Sequence, residues 1–278
     1  MDLFYPPVCF LCNELKENSE PFCEDCAAKL TTPDGMYCQR CGGKRVPLYY
    51  ETFRCRRCRT LSFRFRKVIV LGEYEDELRT LILRMKTDQS GLLARSVVRL
   101  LARQRAAELR EAAAELIVPV PMYWHRRLMR GVNSPDFMAE ELGNILNIPV
   151  AKHLVRRVRP TDLQYMLSAR NRKSNVVGAF ALNQQNHFLS RFVNHWSKSW
   201  LKNWLKMEFG QLEPNPVGKN ILLVDDIFTT GSTCNEVAKI LRQAGVRNIT
   251  VCALARAVGF YQKYRDDLFE KLAKKRRN

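Results

Sequence analysis

No apolar run in this sequence exceeds nine residues, and the longest, Leu116 to Trp124, carries two prolines. A helix crossing a bilayer needs about 20 consecutive apolar residues, so a membrane-spanning helix is excluded. The opening Met1-Asp2-Leu3-Phe4-Tyr5-Pro6-Pro7 lacks a basic stretch followed by an apolar one. It therefore does not read as a secretory signal, and the expected location is the cytoplasm. Acids are also scarce: 28 Asp and Glu stand against 46 Lys and Arg, a formal net charge of +18. The deficit is uneven. Arg40 to Arg66 holds nine basic residues and one acid, Glu51, and Lys152 to Lys173 holds seven and one acid, Asp162. Such fields attract polyanions, either nucleic acid or a multiply phosphorylated small molecule; solvated surface charge is the third reading. Apolar residues, at 46%, are not in short supply, and 278 residues suffice for one sizeable core plus a small satellite module.

Eight of the ten cysteines form four C-x-x-C pairs: Cys9/Cys12, Cys23/Cys26, Cys38/Cys41 and Cys55/Cys58. Two intervening residues let both thiolates face one ion through a tight knuckle, and two knuckles complete a tetrahedron. Gly42 and Gly43 follow the third pair, where such a knuckle needs a residue tolerant of positive φ. Cytosolic thiols stay reduced, which disfavours disulfides, and a redox C-x-x-C occurs once rather than four times. Two structural Zn²⁺ ions follow, replacing a core that so short a segment cannot build. Neighbouring pairs can share an ion, or the first and third pairs can. Cys234 and Cys252 fall within helix and strand patterns and read as packing residues.

The run Ile221-Leu222-Leu223-Val224-Asp225-Asp226-Ile227-Phe228-Thr229-Thr230-Gly231-Ser232-Thr233 joins a buried strand to two carboxylates and a hydroxyl-rich loop before a helix. Open α/β sheets bind ligands at the C-terminal edges of their strands. A helix N-terminus with free amides suits a phosphate, and carboxylates beside it suit vicinal hydroxyls. A phosphorylated sugar has both.

Around this unit the pattern alternates. Lys67 to Gly72 reads as a strand, and Leu78, Leu81, Ile82 and Met85 form a helical stripe. Gly91 to Glu115 reads as one helix, Leu116 to Pro121 as a buried strand meeting a turn, and Ser134 to Leu146 as a helix capped by Ser134 with Pro135 at the first helical position. After the strand Ile221 to Val224, a helix carries Val237, Ile240, Leu241 and Ala244 on one face and ends at Gly245, followed by a strand from Ile249 to Leu254. Alternation of this kind specifies an α/β fold with an open, mainly parallel sheet flanked by helices. The expected division is a Cys-rich zinc module over residues 1–66 and a main domain over 67–278. An insertion at about 184–217 holds Trp196, Trp200 and Trp204 on one helical face, interleaved with Lys198, Lys202 and Lys206. That face packs on the domain, meets a partner or lies on a membrane surface.

The Ile221–Thr233 run resembles the phosphoribosyl-diphosphate (PRPP) signature of type I phosphoribosyltransferases. The whole chain outside the Trp-bearing insertion resembles the ComF/GntX family. The likeness includes Pro6-Pro7-Val8-Cys9-Phe10-Leu11-Cys12, the Val118-Pro119-Val120-Pro121 strand end followed by Arg126, Arg127, Arg130, Gly131 and Asn133, and a block with Gln164, Leu167, Arg172, Asn175, Val176, Gly178, Ala179 and Phe180. The resemblance implies a type I phosphoribosyltransferase fold behind the zinc module. By it, Asp225 and Asp226 hold the ribose hydroxyls, and Thr229, Thr230, Gly231, Ser232 and Thr233 wrap the 5′-phosphate. It further implies Mg²⁺ on the diphosphate, with Arg126, Arg127 and Arg130 reaching in, and a lid over Gln164 to Phe180 whose Arg170 or Arg172 neutralises leaving-group charge. Lys86 stands where the family usually has Lys. The implied reaction displaces diphosphate from ribose C1, and the acceptor is expected to be selected near Arg156 to Leu167 or in the zinc module. The family's link to DNA uptake implies single-stranded DNA and a competence helicase as partners, with a catalytically silent, PRPP-sensing factor as the alternative to an enzyme. The chain lacks the N-terminal Cys that the glutaminase half of amidophosphoribosyltransferases requires.

Overall fold

A computed structural model of the chain describes residues 8–16, 18–33, 37–43, 62–123, 133–159, 176–183 and 213–257. Its centre is a four-stranded sheet in the order β1-β6-β5-β2, with every neighbouring pair parallel. β1 is Lys67–Glu73, β2 Leu116–Pro119, β5 Asn220–Phe228 and β6 Asn248–Arg256. These strands read as near-continuous apolar runs because both faces are covered. Ile69, Leu71, Ile117, Leu222 and Val224 point to one face and Val68, Val70, Leu116, Val118, Ile221 and Leu223 to the other.

On the first face pack α2 (Asp76–Met85), α3 (Leu92–Gln104) and α5 (Ser134–Leu146). On the second pack α6 (Ser232–Gln243) and a small antiparallel ribbon of β3 (Val155–Arg157) and β4 (Phe180–Leu182). The expected stripe Leu78, Leu81, Ile82 and Met85 is the buried face of α2. β2 is therefore followed by a helix on one face, and its neighbour β5 by a helix on the other. That reversal opens a crevice beyond the carboxyl ends of the two strands.

Three local expectations need correction. The single helix over Gly91 to Glu115 is two: α3 gives way at Arg105 (φ −117°, ψ 28°) to the short α4, Ala106–Glu111. Arg105 is almost fully buried. Its guanidinium donates to the carbonyls of Val70 (2.9 Å), Leu71 (3.1 Å) and Thr32 and lies 4.8 Å from the Tyr37 ring centre. Long-range partners of one side chain break the helix, and propensity does not reveal them. The cap of α5 is Asn133 rather than Ser134, with the Asp136 amide donating to the Asn133 carbonyl at 2.9 Å. The Asn133 amide group donates to Asp136 (2.8 Å) and to the Val120 carbonyl (3.4 Å), tying the helix start to the end of β2. Third, β5 does not stop at Val224 but runs through both acids to Phe228, because Ile227 and Phe228 still pair with Ala255 and Arg256.

The Cys-rich segment shares the main core. Its helix α1 (Glu24–Leu30) places Cys26, Ala27 and Leu30 in the cluster that holds Ile69, Leu71, Leu78 and Leu81. Backbone bonds from Thr32 N–H to the Leu71 carbonyl (2.9 Å) and from Val68 N–H to the Gln39 carbonyl (2.7 Å) extend that contact along β1. Trp196, Trp200 and Trp204 of the insertion lie outside the described residues.

Candidate functional site

Two cysteine knuckles converge first. The sulfurs of Cys9, Cys12, Cys23 and Cys26 all lie within 4.8 Å of one another, and Cys12 and Cys23 are 3.9 Å apart. A tetrahedral zinc with Zn–S bonds of about 2.3 Å needs sulfurs about 3.8 Å apart, so the donor set and its spacing fit zinc. The N–H groups of Leu11 and Cys23 point at Cys9 Sγ, each at 3.5 Å, which favours the thiolate form a metal requires. The first two pairs thus share one site, which removes the crossed arrangement for them. Cys38 and Cys41 form a similar turn: Gly42 N–H donates to the Cys38 carbonyl at 2.7 Å with Gly42 at φ +66°. Asn13 takes the equivalent place after Cys12, at φ 62°. Cys55 and Cys58 lie outside the described residues. Cys252 is fully buried in the sheet, a packing residue.

At the carboxyl end of β5 the strand's alternation separates the two acids. Asp225 turns toward α6, where the Cys234 thiol donates to its Oδ2 at 3.6 Å. Asp226 turns toward α2, and its Oδ2 lies 3.7 Å from Nζ of Lys86, with both side chains about one quarter exposed (28% and 23%). Each acid also accepts the next backbone N–H, Asp226 N–H on Asp225 Oδ1 at 2.9 Å and Ile227 N–H on Asp226 Oδ1 at 2.7 Å. Burial, and then the adjacent Asp226, push the Asp225 carboxyl up to about 8. Burial likewise holds the Cys234 thiol well above its usual range, so it remains a donor. Among the described residues neither acid sits in a buried ion pair. Asp225 pairs with no described cation, and the Lys86–Asp226 contact is too long for a direct hydrogen bond and reachable by solvent.

The loop that follows is tightly built. The Thr230 and Ser232 hydroxyls are 2.8 Å apart, and the Asn235 N–H donates to the Gly231 carbonyl at 2.8 Å to open α6. Gly231 has φ +77°, and a Cβ there would lie 2.5 Å from Phe228 Cζ and 3.0 Å from Phe63 Cε1. Only glycine fits. Beneath the loop the buried Arg256 donates to the carbonyls of Phe228 (2.9 Å), Thr229 and Ala257 (2.7 Å), its guanidinium 5.2 Å from the Phe228 ring centre. Thr229 and Thr233 flank this turn. At the far end of α6, Gly245 N–H to Arg242 and Val246 N–H to Leu241 form a Schellman cap.

The structure thus brings Asp225, Asp226 and the Thr229–Thr233 loop to the edge where β2 also ends. Val120 N–H is bonded to the Val224 carbonyl at 2.8 Å there. Arg126, Arg127, Arg130 and Arg172, together with Gln164 and Arg170, lie outside the described residues. The role of Arg256 could not be read from sequence, since it depends on register between β5 and β6. Lys86 was visible as a residue but its partner was not.

Residues 1–59 match the double zinc ribbon domain and residues 147–270 the phosphoribosyl transferase domain. "Competence protein F" of Haemophilus influenzae is 33% identical over 224 residues, 80% of this chain and 85% of that protein. "DNA utilization protein YhgH" of Escherichia coli is 27% identical over 260 residues, 92% of this chain and 100% of that protein. An amidophosphoribosyltransferase of Pseudomonas aeruginosa matches over only 51 residues, 18% of this chain and 10% of that enzyme, so it carries the local segment alone. No described helix is long and apolar enough to cross a membrane. With a zinc-ribbon segment packed against a phosphoribosyltransferase-type parallel sheet, and a relative one-third identical over most of both lengths, the chain belongs to the ComF/GntX family.

Proposed function

We propose that this protein binds PRPP at the crevice beyond β2 and β5 and acts as a phosphoribosyltransferase-like factor in the handling of incoming DNA in the cytoplasm. The observation that carries the reading is the pairing, at one strand end, of two carboxylates with the Gly231-centred hydroxyl loop that opens α6. A phosphate suits the loop and a diol suits the acids. The pentose lies across the strand end, within reach of Asp226 on one side and Asp225 on the other, and Lys86 brings a cation to the same edge. Thr229, Thr230, Ser232 and Thr233 contribute amides and hydroxyls to the 5′-phosphate. Arg126, Arg127, Arg130 and Arg172 are assigned to the diphosphate. Mg²⁺ would be carried mainly by ligand oxygens and needs no protein cage. Residues 1–66 act as a structural module with two zinc ions, and 67–278 as the ligand-binding domain. If turnover occurs, the protein's work is positioning the sugar and neutralising the leaving diphosphate.

Calorimetry with PRPP and Mg²⁺ tests this. The wild type should bind, and the Asp225→Ala/Asp226→Ala double variant should lose about a hundredfold in affinity, about 2.7 kcal/mol. A folded wild type that takes up no PRPP ends the reading.

A second reading, single-stranded DNA binding, is favoured by a cluster of arginines along residues 63–66. The Arg40 guanidinium holds the carbonyls of Phe65 (3.2 Å) and Arg66 (3.0 Å), and the Arg242 guanidinium those of Arg64 (3.3 Å), Val246 (3.3 Å) and Arg247. Arg64, Arg66, Arg242 and Arg247 are exposed, and none of the five forms an ion pair with a described acid. The relatives' names, which speak of competence and DNA utilization, support a DNA partner; a competence helicase is the protein partner expected from the family resemblance. Engagement of about three to five phosphates gives a slope of about −2 to −3.5 for log affinity against log salt. A flat response removes the DNA reading and leaves the PRPP reading standing.

A further inference from the structure

Three strands of the central sheet start with a basic residue just before them. Arg66 precedes β1, Lys219 precedes β5 and Arg247 precedes β6. These strands are parallel neighbours in the order β1-β6-β5, so their starts share one edge of the sheet. Backbone bonds fix the three positions: Arg247 N–H donates to the Lys219 carbonyl at 2.9 Å, and Arg66 N–H to the Ile249 carbonyl at 2.7 Å. At the end of α6 the Arg242 guanidinium donates to the carbonyls of Val246 (3.3 Å) and Arg247, which brings a fourth cation to this edge. Arg66, Arg242 and Arg247 are exposed and Lys219 is half-buried. None of the four forms an ion pair with a described acid. Two acids at this edge are engaged by other groups: Glu111 holds Lys67 at 2.7 Å, and Glu115 Oε2 accepts the Asn220 N–H at 3.0 Å. Lys67, and then Arg66 from farther off, hold the Glu111 carboxyl below its usual range, so it offsets part of the positive field.

We propose that this amino-terminal edge of the sheet, with Arg66, Lys219, Arg242 and Arg247, takes the phosphate backbone of single-stranded DNA, and that DNA and the phosphorylated sugar occupy opposite edges at once. The proposal rests on the second reading above and adds where the strand lies. Asp225, Asp226 and the Thr229–Thr233 loop stand at the carboxyl ends of the strands, the other edge. Seven residues of extended chain separate Lys219 from Asp226, about 23 Å at about 3.3 Å each. That is more than twice the Debye length of about 8 Å at physiological salt, so anions at the two edges neither compete nor repel strongly. A row of cations across neighbouring strand starts, about 4.8 Å apart from strand to strand, suits a chain of repeating phosphates better than one compact anion. Arg64 is not part of the row: its N–H donates to Asn235 in the first turn of α6, which places it between the two edges. Nucleotides held at the amino-terminal edge stay clear of the crevice, so the DNA bound there is a partner and not the acceptor.

Fluorescence anisotropy of a short labelled oligothymidylate on the full-length chain tests the placement. Arg66→Gln/Arg247→Gln should bind about tenfold more weakly than the wild type, with a log affinity against log salt slope shallower by about 1.4, two phosphates at about 0.7 each. Glutamine keeps the backbone bonds of this edge. Should the double variant fold poorly, Lys219→Gln decides alone, with about threefold weaker binding expected. Lys29→Gln/Arg79→Gln removes two exposed charges elsewhere and should stay within about twofold of the wild type. If the wild type binds the strand but the edge variants bind as tightly, or the control pair is weakened equally, this surface is overturned and the DNA reading stands. A wild type that binds no strand removes both. In a second arm, saturating PRPP with Mg²⁺ at fixed ionic strength should leave the strand's affinity within about twofold. Displacement of the strand by PRPP overturns the placement on opposite edges. If the wild type binds no PRPP, the PRPP reading falls and the edge variants still decide this one.

Discussion

Cys9→Ser is expected to strip the first metal site and unravel the segment around it. Serine offers a neutral hydroxyl where zinc requires a thiolate, and Cys9 is the most enclosed of the four, with two amides aimed at its sulfur. Structural zinc contributes about 10–16 kcal/mol of binding free energy in small metal-folded domains, as much as the whole net stability of a typical protein, about 5–15 kcal/mol. Phe10 meets Phe22 at 6.3 Å, and Phe22 lies in the main core with Phe10 and Leu11 against it, but these contacts do not themselves hold four thiolates together. Beyond them α1 is anchored through Ala27 and Leu30 in the main core, so the parallel sheet should survive. Elemental analysis should find one zinc fewer per chain, and limited proteolysis should cut within residues 9–26 while sparing β5 and β6. Unchanged zinc content, or a protease-resistant segment without zinc, would show that the four thiols are packing residues and not ligands.

The second large effect is expected at Gly231→Ala. A left-handed φ of +77° costs a residue with a Cβ about 1–2 kcal/mol. The added carbon would also stand 2.5 Å from Phe228 Cζ, closer than atoms tolerate, and Phe228 cannot withdraw because Phe63, Phe65 and Arg256 enclose it. The loop must move instead. Stability should fall by about 2–4 kcal/mol, read from denaturant midpoints. On the PRPP reading, affinity should fall by about a hundredfold or more, since amides and hydroxyls that converge on a phosphate lose their common focus. A variant that is destabilised yet binds PRPP normally would mean that the ligand does not use this turn. A variant neither destabilised nor impaired would mean that the turn is not rigid.

The contrast between what could and could not be foreseen follows the range of the interactions. The unit from Ile221 to Leu254 is legible because its signals are local: an apolar run, a loop of small hydroxyl residues, a stripe at helical spacing and a terminal glycine. C-x-x-C spacing is legible for the same reason, since knuckle geometry lies within four residues. The break at Arg105 was hidden, because the carbonyls that capture its guanidinium belong to β1 and to residue 32. The β3–β4 ribbon was missed too; strands of three residues carry too little pattern to stand out. Asn133 displaced Ser134 as cap because its side chain found a partner at the end of β2, a contact between elements rather than within one.

Composition and motif order, by themselves, determined the class: a parallel α/β sheet behind a cysteine-rich segment, with acids and a hydroxyl loop at one strand end. They could do so because strand, helix and knuckle signals are written in residues a few positions apart. Only the tertiary structure decided that the two acids take different partners, Cys234 for Asp225 and Lys86 for Asp226, since a strand sends successive side chains to opposite faces. It also decided which thiols share a site, and that the cysteine-rich segment and the ligand loop share Phe63 and Arg256. Those facts depend on strand register and on packing between residues remote in the chain, which no local pattern encodes.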